Sequence, residues 1–385
     1  MSRLRSLLAL IATGLTLSAC SNPSADPRAV EDFAAVEPAQ LSRTLSDRAA
    51  HHGVDGGSVT IRMGDAVRTV HHGAAGDDTL MQAASLSKAV AAAGILTLME
   101  REGIDMDADI RDRVTSVDLR LLNGGDRPLT MRELLSHTGG ATQSGYPGYR
   151  RGQALPSPTE VVTDPPNRFV SRVDLSLPKG AFSYAGGGYQ IAQVFAEDVS
   201  GQPFADLMDE LVLAPLGMTR STFAQPIDPK DIAPLSVLPA SSGPRPMEGL
   251  LRPLKESWMI YPEQAAAGLW TTTSDYARFV GALLDAAAGR DSTLSSEVAA
   301  AMLTPVARTP FGDDAHYGLG VSLIVDAADG RIVNVSHSGL NAGYRALFAA
   351  DPASGRIVVS FGNTPGAVAL NNEAVDGLMR NPALP

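Results

Sequence analysis

Strand patterns mark two parts of this chain, the first by alternating apolar and polar residues, and most of the sequence lies between them. The first is "GSVTIRMGDAVRTVHHG"; the second comprises "GVSLIVDAADGRIVNVSHSG" and "GYRALFAADPASGRIVVSFGN". A period of two marks a strand with one face buried, and strands joined by short turns pair antiparallel. Gly64-Asp65 at the centre of the first stretch predicts a hairpin. Turns at Asp329-Gly330 and from Asp351 to Gly355 divide the later stretches into three more strands. One antiparallel sheet of about five strands therefore joins the two ends of the chain. Helices in "PAQLSRTLSDRAAHHG" and "AVALNNEAVDGLMR" are placed to cover its faces, and the long middle becomes an insertion beside it. The expected fold class is α+β, with a sheet domain over 41–125 and 261–385 and an inserted, mostly helical domain over 126–260.

Length and charge narrow the partners. With 385 residues, 44% of them hydrophobic, the chain can bury a large core. A net charge of -11, with no run of Lys or Arg after residue 5, argues against nucleic acid and against a basic membrane-binding patch. A small, uncharged or mildly cationic ligand fits better. Oligomeric state is not legible.

Residues 1–19 read as an address. Arg3 and Arg5 precede an apolar segment from Leu7 to Leu17 that is too short to span a bilayer. Leu17-Ser18-Ala19-Cys20 looks like a bacterial lipobox, which makes Cys20 the lipidated mature N-terminus. Cys20 is the sole cysteine, so no internal disulfide competes for it. Residues 20–40, rich in Pro, Ala and acid, read as a tether. The expected location is the cell envelope, with the exported chain anchored by lipid and facing the periplasm or exterior.

Chemistry concentrates in "MQAASLSKAV", residues 81–90, which places one of the chain's four lysines at the head of a buried helix running to Glu102. Ser85 and Lys88 lie three apart and share a helical face. The first backbone N–H groups there have no intrahelical partner and suit negative charge. A desolvated lysine amine one turn from a hydroxyl can take its proton, so Ser-x-x-Lys combines a nucleophile with its base. The motif alone is weak, because Ser176-Leu177-Pro178-Lys179 repeats it where proline blocks the helix.

Companion segments raise its weight: "GAFSYAGGGYQIA", "SHSGLNAGYR", "MRELLSHTGG", "LAPLGMTRSTF", "AAGLWTTTSDYARF" and "YGLGVSL". In order and spacing the chain resembles the serine β-lactamase and penicillin-binding superfamily from about residue 40 to 380. The branch is that of class C β-lactamases, DD-carboxypeptidases, D-aminopeptidases and related esterases. The resemblance implies a β-lactamase/transpeptidase-like fold with the active site in the cleft between sheet and insertion. It implies Ser85 as acylated nucleophile, Lys88 as its partner and Tyr184 as the tyrosine of a Tyr-x-Asn element that moves protons. His337, Ser338 and Gly339 take the place of Lys-Thr-Gly, and the backbone N–H groups of Ser85 and Leu340 form the oxyanion hole. No cofactor or metal is implied.

Two positions depart from the pattern. Gly186 stands where the asparagine would be, and His337 replaces a lysine, leaving the pocket less positive at neutral pH. An ordinary histidine there would charge near pH 6.5 and favour carboxylate-bearing substrates in acid. The expected activity is a serine hydrolase working through an acyl-enzyme on ester, D-amino-acid amide or short-peptide, or β-lactam-like substrates, and both changes point away from an efficient β-lactamase and toward an esterase or D-peptidase. A non-hydrolytic penicillin-binding sensor or a transacylase of the same fold is the alternative. His137 reads as a structural loop histidine, Trp270 as a junction residue and Arg345 as a surface arginine.

Overall fold

The computed structural model describes residues 25–167, 169–228, 230, 232, 234–241 and 258–385. The export signal and Cys20 lie outside the described residues, as does part of the expected insertion.

The hairpin predicted around Gly64 is present: Gly56–Met63 pairs with Ala66–Gly73. The downstream stretches give four strands rather than three, Ser322–Val325, Ile332–Asn341, Tyr344–Asp351 and Arg356–Gly362. The extra division falls at Ala342-Gly343, a tight turn in which Gly343 has a φ of 82° that only glycine adopts readily. Two short strands, Ala315–Tyr317 and Ala307–Arg308, complete an eight-stranded antiparallel sheet. Gly56–Met63 from the N-terminal half pairs with Arg356–Gly362 from the C-terminal end, so the two ends of the chain share one sheet as expected.

Both faces of the central strands are covered, which explains their near-continuous apolar runs. Val59, Ile61, Leu347 and Val358 face the terminal helices Leu41–His52 and Ala367–Arg380. Val359, Phe361, Ala346 and Phe348 face the opposite way, into the main core with the helices Ser87–Arg101 and Thr273–Ala287. Trp270 is fully buried there, edge-on to Trp258 and Tyr344, and its short strand pairs with Thr79–Gln82.

The expected tether needs correction over its described part. Residues 27–35 form a helix, capped by the Asp26 side chain with Pro27 in its first turn, and Ala29, Val30 and Phe33 are buried. The Asn381 side chain donates to the carbonyls of Phe33 and Val36, so this helix is tied to the C-terminal one. Burial of Phe33, rather than composition, decides the outcome.

Candidate active site

Strand Thr79–Gln82 leads into one 3₁₀ turn, Ala84–Leu86, and then into the helix Ser87–Arg101. Ser85 sits in that turn. Ala84 has a φ of 51°, a left-handed conformation that costs an L-residue about 1–3 kcal/mol and survives only when its surroundings enforce it. They do so here. Ser87 Oγ donates to the Ala84 carbonyl at 2.5 Å and accepts from Leu269 N–H at 2.9 Å, while Ala83 N–H donates to the Leu269 carbonyl. On the other side Gly339 presses on the turn: a Cβ there would lie 2.4 Å from the Ala83 carbonyl oxygen. Only glycine permits the strand to run this close.

Lys88 is 2% exposed and its Nζ donates to Ser85 Oγ at 3.2 Å and to the Ala266 carbonyl at 2.7 Å. The amine lies 5.1 Å from the Tyr184 ring centre and 5.5 Å from that of Tyr189. No carboxylate pairs with Lys88 among the described residues, and burial pulls its pKa down to about 7. Tyr184 responds in the opposite sense. Burial raises its phenol well above the usual value, against a smaller lowering by a hydrogen bond with Ser85. The site thus sets an amine that can be neutral at pH 7 beside a phenol that stays protonated.

Residues 337–341 run beside the Ser85 turn. The Ile332–Asn341 strand pairs with Tyr344–Asp351 along that whole segment, but on its other edge the pairing with Ser322–Val325 ends at Ser336. Among the described residues no strand covers that edge, which leaves backbone groups for a substrate. Ser338 and Leu340 are exposed, whereas His337, Gly339 and Asn341 turn inward. Asn341 Nδ2 donates to Gln82 Oε1 at 2.8 Å and to the Ala267 carbonyl at 3.1 Å, tying the strand to the elements around Ser85 and Lys88.

His337 is not the titrating cation that its residue type suggests. It is 3% exposed; its Nδ1 donates to the Ser338 carbonyl at 2.7 Å and its Nε2 accepts from the Tyr317 hydroxyl at 3.0 Å. Burial, reinforced by Lys88, pushes its pKa down to about 3. The acid-side gain expected for carboxylate substrates therefore has no source at His337. Arg345 also needs correction: it is 7% exposed, and its guanidinium donates to the carbonyls of Asn341 and Tyr344 at 2.7 and 2.6 Å. It braces the hairpin turn from inside.

The missing asparagine has a steric counterpart. A Cβ at Gly186 would lie 2.9 Å from the edge of the Tyr146 ring, so tyrosine occupies the space. The second contact to Lys88 comes instead from the Ala266 carbonyl. Ser176 and Lys179 are separated from this chemistry, Lys179 pairing with Glu133 at 2.9 Å. Sequence reasoning missed Tyr317 and Glu263. Glu263 is fully buried with no hydrogen-bond partner for either carboxyl oxygen among the described residues, and burial raises its pKa to about 8. A charged residue two positions before the apolar run Ala265 to Ala267 was its one visible signal.

A helix-covered antiparallel sheet with a buried Ser-x-x-Lys lysine beneath one strand edge defines a class of serine hydrolases. A family model described as Beta-lactamase matches residues 41–376, and the chain belongs to that family. Among solved structures it is similar to the octameric penicillin-binding protein homologue from Pyrococcus abyssi, with a TM-score of 0.69 and 22% identity over 91% of this chain and 80% of that one. It is also similar to D-amino acid amidase from Ochrobactrum anthropi SV3, with a TM-score of 0.68 and 20% identity over 92% and 97% of the two chains. These likenesses show the fold. Esterase EstB of Burkholderia gladioli is 29% identical over 154 residues, 37% of this chain and 38% of the esterase.

Proposed function

We propose that this protein hydrolyses esters and D-amino-acid amides or short D-peptides through an acyl-enzyme at Ser85, in preference to β-lactams. The observation that carries the reading is the buried Lys88 amine, with no counter-charge among the described residues, 3.2 Å from Ser85 Oγ and with a pKa of about 7. As a free base it takes the Ser85 proton while Oγ bonds to the substrate carbonyl carbon. The oxyanion is held by the backbone N–H groups of Ser85 and Leu340, a pair whose loss of one member typically costs about 100-fold. The protonated Tyr184 gives its proton to the leaving group as the C–X bond breaks, and the Lys88 ammonium restores it. Water then attacks the acyl-Ser85 ester by the same route reversed.

The substrate preference rests on charge. A β-lactam carries a carboxylate, and the neutral His337 offers it no cation. Esters and D-residue amides rely less on such a cation. The partial likeness to an esterase and the fold shared with a D-amino acid amidase support this choice. Steady-state kinetics with a short-chain nitrophenyl ester and nitrocefin test it, with the mass of the intact protein locating the acyl group. The ester should show the higher kcat/KM and Ser85→Ala should take up no acyl group; a nitrocefin value far above the ester's, or acylation of Ser85→Ala, sinks the proposal. We further propose export and lipid anchoring at Cys20, on the strength of the first twenty residues. Incorporation of labelled fatty acid that persists in Cys20→Ser would refute it.

A further inference from the structure

Tyr184 sits in a loop just before the helix Gly186–Ser200, and a loop alone does not fix a phenol to the tolerance that proton transfer needs. His137 supplies the constraint. Its backbone carbonyl accepts from Ser183 N–H at 2.8 Å and its ring Nδ1 accepts from Ala185 N–H at 3.1 Å, so the residues on both sides of Tyr184 are pinned to one histidine. Its ring lies 4.3 Å from the Tyr184 ring and 4.8 Å from that of Tyr317, the same Tyr317 that donates to His337.

Two features mark this as more than packing. His137 has a φ of 62°, a left-handed conformation unfavourable for an L-residue, and holding it aims carbonyl and ring at the same tripeptide. An Nδ1 that accepts leaves the proton on Nε2. That Nε2 is buried without a hydrogen-bond partner among the described residues, so no other polar contact dictates the ring's orientation. Burial first, and then Lys88 and His337, keep the imidazole uncharged, which preserves the Nδ1 lone pair that Ala185 uses.

We infer that His137 is a positioning residue that clamps Tyr184 through Ser183 and Ala185 in the orientation from which its phenol protonates the leaving group. The inference rests on the proposed role of Tyr184, and leaving-group dependence separates the two. Methyl butyrate and 4-nitrophenyl butyrate deliver the same acyl group, but methoxide must be protonated as it leaves and nitrophenolate need not be. Glycine tolerates the left-handed backbone and lacks the ring, so His137→Gly should lower kcat/KM, which reports acylation alone, about 100-fold for methyl butyrate, the usual worth of a general acid. The loss in kcat/KM for 4-nitrophenyl butyrate should stay below about tenfold. His137→Asn also accepts a left-handed φ and offers a carbonyl oxygen near Nδ1, so it should recover much of the loss.

Equal losses on both esters, no loss on either, or an asparagine variant no better than glycine would overturn the clamp. Tyr184→Phe must show the same leaving-group pattern. If it does not, or if wild type acylates Ser85 with neither ester, the underlying role of Tyr184 fails and the inference falls with it.

Discussion

Glu373 and Lys88 are both buried charges, and the chain treats them in opposite ways. Under the terminal helices, Glu373 accepts from Arg48 at 2.8 Å and lies 3.0 Å from His52. Burial raises its pKa, but the hydrogen bonds of His52 and Arg48 more than offset this and hold it below the usual carboxylate range. Beside the Ser85 turn, Lys88 has a hydroxyl and a carbonyl for company but no counter-charge among the described residues, and the carboxyl oxygens of Glu263, near its Ala266 partner in sequence, accept from no other described residue. The first region spends its polar groups on holding the fold together. The second leaves them under-compensated, which destabilises the fold but keeps an amine reactive at neutral pH.

The sharpest way to break this contrast is Lys88→Met. Hydrolysis should fall by about a thousandfold or more as the base is lost, while the folded state becomes more stable. The sign follows from linkage: a lysine pKa of about 7 in the folded chain against 10.5 unfolded means that between these two values the unfolded state binds more protons, so wild-type stability rises with pH across that window. The gain in Tm should therefore be full below about pH 7 and fade as pH rises from there to 10.5. In the wild type, kcat/KM should rise with pH through about 7 as the amine deprotonates. A Lys88→Met enzyme with normal rates, or one less stable at pH 7, would erase the distinction.

Glu373→Gln should do the reverse, costing about 2–3 kcal/mol in denaturant unfolding by leaving Arg48 without its buried partner. Activity per folded molecule should not change. Because the wild-type carboxyl has a depressed folded pKa, its contribution is present above the ordinary value of 4.5 and disappears as pH falls through the folded value. The variant should lack that acid-side loss; equal acid sensitivity in both proteins would rule out the pair as its source.

Glu263→Gln tests the under-compensated side with a smaller effect. A folded pKa of about 8 against 4.5 unfolded means that wild-type stability from this group is full below 4.5 and is lost as pH rises through about 8. The glutamine variant should therefore match wild type near pH 5 and exceed it in Tm at pH 9. A Tm difference that does not change with pH would place a counter-charge against Glu263.

The Ser85–Lys88 pair was legible because it is local: one helical turn brings the two side chains together whatever the rest of the chain does. His137 looked like a loop histidine because its partners, Ser183 and Ala185, arrive from a distant segment. Asp26-Pro27 carried a helix-start signal, yet composition suggested a tether, and only the C-terminal helix provides the surface that buries Phe33. Arg345 and His337 were misjudged for one reason. Their residue types predict exposure or charge, and the depth at which the sheet and its neighbouring tyrosines bury them cannot be read from spacing.

By itself, then, the sequence determined what depends on short-range geometry. That includes the strand and turn patterns that make a sheet joining the two ends, the terminal helices and the Ser-x-x-Lys turn. The tertiary structure alone decided the electrostatics, because pKa values follow desolvation and the nearest charges, both summed over segments far apart in the chain. That is why Lys88 emerges as an amine with a pKa of about 7, His337 as a neutral hydrogen-bonded imidazole and His137 as the residue pinning both neighbours of Tyr184.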